Sequence, residues 1–497
     1  MLKFFILFHT VHSNINVMQV PLKMRFCFVF LVIQFGFITP GFSHRTSHRF
    51  VEESPNLSIS ARKAWILRRT IEFHKDSISP QDRMDKFRKM TLNPSAFLRG
   101  NAYLFYAEVG DGISAIPMDW LKRSGLQSWI SGDAHMQNLG FYESEGELLF
   151  DLNDFDEACV GSIFFDLIRF LVSIRIMCER FSFKIENKDF HHLTSIFIDF
   201  YKTELLSNRS QEITLDRLDG FLRSQAERIW KKNSAKKQIK KWCKQSDKDL
   251  KFKEIPNKLV NLNPEERLSF FTEWESYLQN SSIHHGLGLQ VHLLDAKKRI
   301  GSGLGSLGKL KIYALVRKED DEISENQLLE IKEQSPASAY MAMTAEQYLW
   351  HRARFSNEGE RVFSAFKVFR PKLEPLSGVI LNSHSGSLMR RISPWSKSIN
   401  AESISSRRDL ENLLKFSAQV LAQAHLKGAK SLNQLDNFRV EVSAFLDSAV
   451  MQKVSVLVRK MASSVYQDYK LFHSLLREGS LGRSLNPPDR DPKQVAP

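Results

Sequence analysis

Hydrophobic and polar positions change period several times along this chain. Ala61 to Lys75 and Pro80 to Met90 repeat apolar residues at helical spacing, and the second predicts Arg83, Lys86, Arg88 and Lys89 on a solvated face. Asn93-Pro94 ends it, and Phe97-Leu98-Arg99-Gly100 then opens an aromatic stretch from Tyr103 to Tyr106. Residues 164–206 predict two apolar helices, and residues 207–282 a helical insertion. From 286 to 334 glycines give way to alternating β-rich runs, including Lys309 to Val316 and Leu328 to Glu333 around an acidic turn, Glu319 to Glu322. Residues 344–358 read as a helix, Val362 to Arg370 as a β-like run, and Ser377 to Ser387 as a loop. Arg407 to Lys427 is a helix with Gly428 just past its end, and Phe438 to Leu476 is helical. The proline-containing tail from Gly479 reads as disordered. The class is α+β.

The 497 residues carry a net charge of +14, which suits anionic partners as well as simple solubility. Lysines crowd residues 228–253 around Trp230, Ile239 and Trp242. That pattern fits a solvated amphipathic helix or a weak contact with an acidic surface, and no specific nucleic acid is expected. Cys159, Cys178 and Cys243 have neither metal-ligand spacing nor an even disulfide set; Cys27 lies in an N-terminal apolar run. Adjacent His191 and His192 point to different sides of a helix, away from a shared metal.

That N-terminal run has a secretory signature. Lys23-Met24-Arg25 precedes an uncharged run from Phe26 to Ile38 and a small-residue end, Gly41-Phe42-Ser43. A cleaved signal over 24–43 would put the protein in the periplasm or outside the cell. The alternatives are an uncleaved membrane anchor, or a cytoplasmic protein that starts elsewhere.

The chemistry concentrates in residues 128–169. Gly132-Asp133-Ala134-His135-Met136-Gln137-Asn138 is followed by the apolar run Glu147 to Phe150, then Asp154-Phe155-Asp156-Glu157, then Asp166. Acids and amides around a short strand make a costly core but a good metal site. In phosphoryl-transfer chemistry of the kinase type, such an Asp takes the acceptor hydroxyl's proton, and an Asn and a second Asp hold metal ions. Far downstream, Gly303-Leu304-Gly305-Ser306-Leu307-Gly308 leads into a strand, not a helix, which favours a kinase phosphate-covering loop over a dinucleotide fingerprint. Lys332, on the next strand, is placed to reach phosphates, unless it is merely an edge lysine.

Asp133-x4-Asn138, Asp154 and Asp166-Leu167 resemble the catalytic and metal-binding segments of aminoglycoside phosphotransferase-like kinases. More closely, the chain resembles the bacterial family called domain of unknown function 2252. The matching stretches are Pro94 to Gly100, Gly132 to Gly140, Phe150 to Ala158, and Gly303 to Gly308 with Ile331-Lys332-Glu333. The resemblance covers most of the chain from about 80 to 430.

The resemblance implies a two-lobed protein-kinase-like fold. The catalytic-like loop precedes the glycine loop, the reverse of kinase order, and Leu421-Ala422-Gln423-Ala424-His425 resembles the helix ahead of a catalytic loop. A circular permutation accounts for both. The regions are then 1–43, a signal or anchor; 44–127, N-terminal and helical; 128–206, the catalytic and metal-binding part of one lobe; and 207–285, the helical insertion. They continue with 286–375, the glycine-loop lobe; 376–478, the helical remainder of the first lobe; and 479–497, the tail.

The implied roles are Asp133 as base, Asn138 and Asp154 as metal ligands, and Gly303, Gly305, Gly308 and Lys332 as the nucleotide grip. Glu346 is the expected partner of Lys332, with Glu360 second; His135, Asp156, Glu157 and Asp166 are supporting, Asp166 as a brace for the loop. The implied cofactors are ATP with Mg2+ or Mn2+, and the implied partner is a small-molecule or protein hydroxyl acceptor. Ser131 departs from the His that related kinases often carry there. ATP sits poorly with secretion. A nucleotide-binding module without turnover, and a nucleotidyl transferase or phosphohydrolase, remain as alternatives.

Overall fold

The computed structural model describes residues 57–485, apart from 76–78, 208–210, 247–248, 281–290, 302, 306, 319–325, 371, 375 and 382–385. The signal-like segment, Cys27 and the acidic turn at 319–322 lie outside these residues. So does the tail beyond 485, although Ser480–Leu485 of that tail is helical, with Leu481 buried. The fold is α+β.

Strands are numbered in chain order. β1 (Gln127–Ile130), β2 (Leu139–Ser144), β3 (Glu147–Leu152) and β4 (Cys159–Ser162) come from the acid-rich stretch. β5 (Cys243–Ser246), β6 (Asp249–Phe252) and β7 (Leu259–Val260) interrupt the expected helical insertion. β8 (Val291–Arg299), β9 (Lys311–Lys318) and β10 (Gln327–Glu333) follow, then β11 (Gly378–Leu381), β12 (Gly386–Arg391) and β13 (Lys397–Ser398). β7 to β12 form a six-stranded antiparallel sheet in the order β11-β12-β10-β9-β8-β7. β13, β2 and β3 make a small sheet, β1 pairs with β4, and β5 with β6.

The large sheet is apolar on both faces. Ile312, Ala314 and Val316 of β9 join Phe270 and Trp274 of the helix Pro264–Asn280, while Tyr313 and Leu315 join Cys243, Leu250 and Phe252 of the β5–β6 hairpin. The period of two along β9 therefore fills two cores. The insertion supplies a cover for each face, and its lysines at 240, 241 and 244 remain exposed. The largest core gathers the helices Ile163–Cys178, Asn187–Leu206 and Arg407–Ser431 around β1 to β4.

Several local expectations change. Val362 to Arg370 is not a strand; it lies in the helix Glu358–Phe369, capped by Asn357, whose buried Val362, Ala365, Phe366 and Phe369 fall at helical spacing. Ser377 to Ser387 includes the paired strands β11 and β12, so it is a hairpin. Helices Leu435–Phe445 and Ser448–Arg477 replace one continuous run, with Asp447 capping the second. Arg83 and Lys86 are not on a wet face. With Phe87 and Met90 they form the buried stripe of the helix Pro80–Met90.

Gly428 is likewise not a terminal cap: its helix continues to Ser431. Its missing side chain lets β1 lie against the helix, since a Cβ there would stand 2.7 Å from Trp129 N and closer still to Ser128 Oγ. Ser128 Oγ donates to His425 O at 2.7 Å, which fixes the same contact. Gly428→Ala should gain about 0.5–1 kcal/mol of helix propensity but lose about 1–3 kcal/mol to overpacking. A net loss of roughly 1–2 kcal/mol is expected in urea denaturation, and a stabilised variant would refute this close packing.

Candidate active site

Pairing of β1 with β4 brings the loop 131–138, which follows β1, beside the turn 153–158, which precedes β4. Gly132 has φ +75°, and a Cβ on it would run into the Glu157 carbonyl. Only glycine suits this close approach. Tyr106 Oη donates to Gly132 O at 2.7 Å. Asp166, 1% exposed, accepts the backbone N–H groups of Ser131 (2.6 Å) and Gly132 (3.0 Å). His425 Nε2 lies 3.2 Å from the same carboxylate, and its Nδ1 meets Tyr201 Oη at 2.6 Å. One buried acid thus ties the loop to the helix Arg407–Ser431.

Asp133 follows the glycine. Arg169, fully buried on the helix Ile163–Cys178, donates through Nε to Asp133 Oδ1 at 2.7 Å and through Nη2 to Leu98 O at 2.8 Å. His135 Nε2 stands 3.6 Å from the other carboxylate oxygen, while its Nδ1 accepts Gln137 N–H at 3.2 Å. Burial alone would raise the Asp133 pKa, but the Arg169 guanidinium holds it well below the usual carboxylate range. Burial keeps His135 neutral, although Asp133 works the other way.

Asn138 Nδ2 donates to Asp133 O at 2.7 Å, which orients the amide so that its oxygen takes no donor among the described residues. Asp154 accepts Asp156 N–H at 3.2 Å and makes no ion pair within 4 Å among them, although the charges of Lys332, Arg390 and Arg99 act on it. No group of three or more His, Cys, Asp or Glu side chains able to hold a metal occurs among the described residues. The hard oxygens of Asn138 and Asp154 fit a Mg2+ that completes its shell with phosphate and water oxygens.

β10 reaches the same turn from the large sheet. Lys332 Nζ is ion-paired with Asp156, two residues beyond Asp154. Burial would lower the Lys332 pKa, but Asp154, Asp156 and Glu330 raise it above the usual lysine value. Burial would likewise raise Asp156, yet Lys332, Lys309 and Lys311 hold it well below its ordinary range. The partner of Lys332 is therefore Asp156. Glu346 is exposed on the helix Ala345–Arg354, and Glu360 accepts Ser356 N–H.

The glycine loop joins β8 to β9. Gly301, Gly303 and Gly308 have positive φ, whereas Gly305 faces open space. Leu304 packs against the N-terminal helices, and a Cβ on Gly100 would stand 2.6 Å from it.

Some residues here had no sequence signal. Arg361, fully buried on the helix Glu358–Phe369, donates to Asp156 O and Ser335 O at 2.9 Å, to Ala158 O, and to Glu358 at 2.5 Å. Glu157 accepts Ser338 N–H at 2.6 Å. Arg169, Arg361, Lys86 and Lys309 act on partners far away in the chain, so no local spacing reveals them.

Two outcomes follow for stability. Asp166→Ala strands two buried N–H groups and His425 and should cost about 3–5 kcal/mol in urea denaturation, against less than about 1 kcal/mol for Asp154→Asn. Equal costs would remove Asp166 as the brace. Asp133 and Asp156 have folded pKa values below their unfolded ones, so their contribution is complete above about pH 4 and is lost as pH falls. Each should add about 1.4 kcal/mol per pH unit to the acid limb, and Asp156→Asn should flatten a urea-midpoint titration from pH 5 to 3 by about that share.

No curated protein and no solved structure matches the chain. A family model described as uncharacterized protein conserved in bacteria (DUF2252) matches residues 80–475. That span begins at the helix carrying Lys86 and ends in the helix Ser448–Arg477, so it includes both loops, the large sheet and the buried brace. The chain belongs to this bacterial family of uncharacterised proteins, domain of unknown function 2252.

Proposed function

We propose that this protein is a metal- and nucleotide-dependent phosphotransferase with a circularly permuted, protein-kinase-like fold, acting on a hydroxyl acceptor. The carrying observation is the ion pair of Lys332 with Asp156, which brings the strand after the glycine hairpin onto the acidic turn beside Asp133 and Asn138. Kinases use this combination of a glycine loop, a strand lysine and a loop with Asp and Asn. The order strand, glycine hairpin, strand, lysine strand, helix over 291–369 supports the nucleotide lobe. Permutation is supported where the helix Arg407–Ser431 passes the start of β1, since Gln434 Nε2 donates to Gln127 O at 2.6 Å.

In this reading Asp133 accepts the acceptor hydroxyl's proton, while Lys332 and the loop glycines hold the phosphates. Asn138 and Asp154 hold Mg2+ or Mn2+, which would neutralise charge on the transferring phosphoryl group. Asp156 hands Lys332 to the nucleotide or keeps it in place. A depressed pKa makes Asp133 a weak base, which suffices where a loose transition state asks mainly for positioning. The same grip by Arg169 favours a second reading, a nucleotide-binding module without turnover.

Thermal denaturation with millimolar ATP and Mg2+ or Mn2+ tests the core of this reading. A site filled to about 100 times its Kd should be stabilised by about 2.7 kcal/mol, and Asp154→Asn should lose most of the metal-dependent part. Absence of any shift in the wild type would sink the proposal. Asp133→Asn, which leaves Arg169 a hydrogen-bond partner, should keep the shift and lose about 100-fold or more in ADP release. Wild-type binding without any ADP release would select the second reading.

A further inference from the structure

Lys86 is a buried cation that the site described so far does not use. It is 5% exposed, on the inner stripe of the helix Pro80–Met90. Among the described residues its Nζ has no ion pair or hydrogen bond. The charged groups it faces are Lys309 at the end of the glycine loop, Glu157 of the acidic turn and Asp133. On the other side lies buried His74, with Arg83 on its own helix. Arg99, one helix later, faces Asp133 and Asp154, and its Nε is buried without a partner.

Docking of Leu304 between Met90 and Gly100 holds the glycine loop over this corner. Lys86 and Lys309 therefore face each other beneath the docked loop, and Arg99 approaches the same Asp133 from the next helix. Two of the nearby acids do little to neutralise the lysines: Asp133 is taken by Arg169, Glu157 accepts Ser338 N–H, and burial pushes Glu157 towards its neutral form despite Lys309; Asp154 acts on Arg99 instead.

We propose that Lys86, Arg99 and Lys309 form a phosphate-binding subsite between the N-terminal helices and the glycine loop, opposite Lys332. It rests on the phosphotransferase reading only for the source of the phosphate, which is either the donor's terminal phosphate or one carried by the acceptor. Two lysines held together without an anion repel each other, and a dianion between them removes that cost. Burial first, then Lys309, lowers Lys86 to about 8, so the empty subsite is only part-charged in mildly alkaline solution. Phosphate binding favours the charged amine and should take up a fraction of a proton there.

The test is isothermal titration of the full chain at pH 8, in two phosphate-free buffers of different ionisation enthalpy. The probes are inorganic phosphate, ADP and ATP with Mg2+. At least one probe should bind wild type with proton uptake, and Lys86→Gln should weaken it about tenfold and abolish the uptake. Lys309→Gln, a change in a half-buried loop residue, should weaken the same probe and keeps the test valid if Lys86→Gln does not fold. Weakened ATP with unchanged ADP assigns the subsite to the donor. Weakened inorganic phosphate in the presence of ADP assigns it to the acceptor. Phosphate binding with no nucleotide binding at all would leave the subsite standing and defeat the phosphotransferase reading. No probe bound, or equal affinity in wild type and both variants without proton uptake, overturns the subsite.

Discussion

The turn at 153–158 sets the terms for everything packed around it. It is half-buried, and its backbone carbonyls need donors where water reaches them poorly. Arginines from elsewhere provide these donors. Arg361 serves Asp156 and Ala158, Arg370 serves Leu152 just before the turn, and Arg390 reaches Asn153 at 3.4 Å. Guanidinium groups suit this task because they carry five donors in a rigid fork. Two of the three come from the helix Glu358–Phe369 and its end, the third from β12. The two sheets are joined through the backbone of the acidic turn itself.

That arrangement leaves the acidic side chains for other work. Asp156 meets Lys332, Glu157 holds the segment after β10, and Asp154 makes no direct ion pair among the described residues. That leaves the Asp154 carboxylate and the amide oxygen of Asn138 as the oxygens the proposed metal would take. The depressed Asp133 and raised Lys332 pKa values share one origin: each is driven against its own burial by a counter-ion that a different element holds in place.

Much of this was legible in the sequence, and the rest was hidden for physical reasons. Asp133, Asn138, Asp154 and Asp166 sit within one short stretch, so their spacing alone brings them together. The alternation in β9 and β10 marks a sheet, and the glycines before β9 mark a hairpin. The run from Val362 to Arg370 misleads because Val362, Ala365, Phe366 and Phe369 suit a helix while Phe363 and Phe366 break the alternation only mildly. Lys86 misleads because a lysine is expected in water, although its place beside Phe87 and Met90 puts it on the apolar stripe. Glu346 misleads because nearness in sequence to Lys332 says nothing about which way the helix turns. The arginines at 169 and 361 were hidden because their partners are reached only through the tertiary fold.

The bond between Asp166 and His425 also has a schedule. The two residues are 259 positions apart, so on a ribosome making about 5–20 residues per second the acid waits roughly 13–52 s for its partner. Until then Asp166 holds Ser131 and Gly132 without His425 behind it, and the helix that closes over β1 has yet to be made. A nascent chain therefore carries the acidic turn at 153–158 and an apolar helix, Ile163–Cys178, without their cover. The site is completed late in synthesis, and a chain cut short before the helix Arg407–Ser431 lacks one wall of it. Quality control that removes truncated chains has a ready signal here in exposed apolar surface.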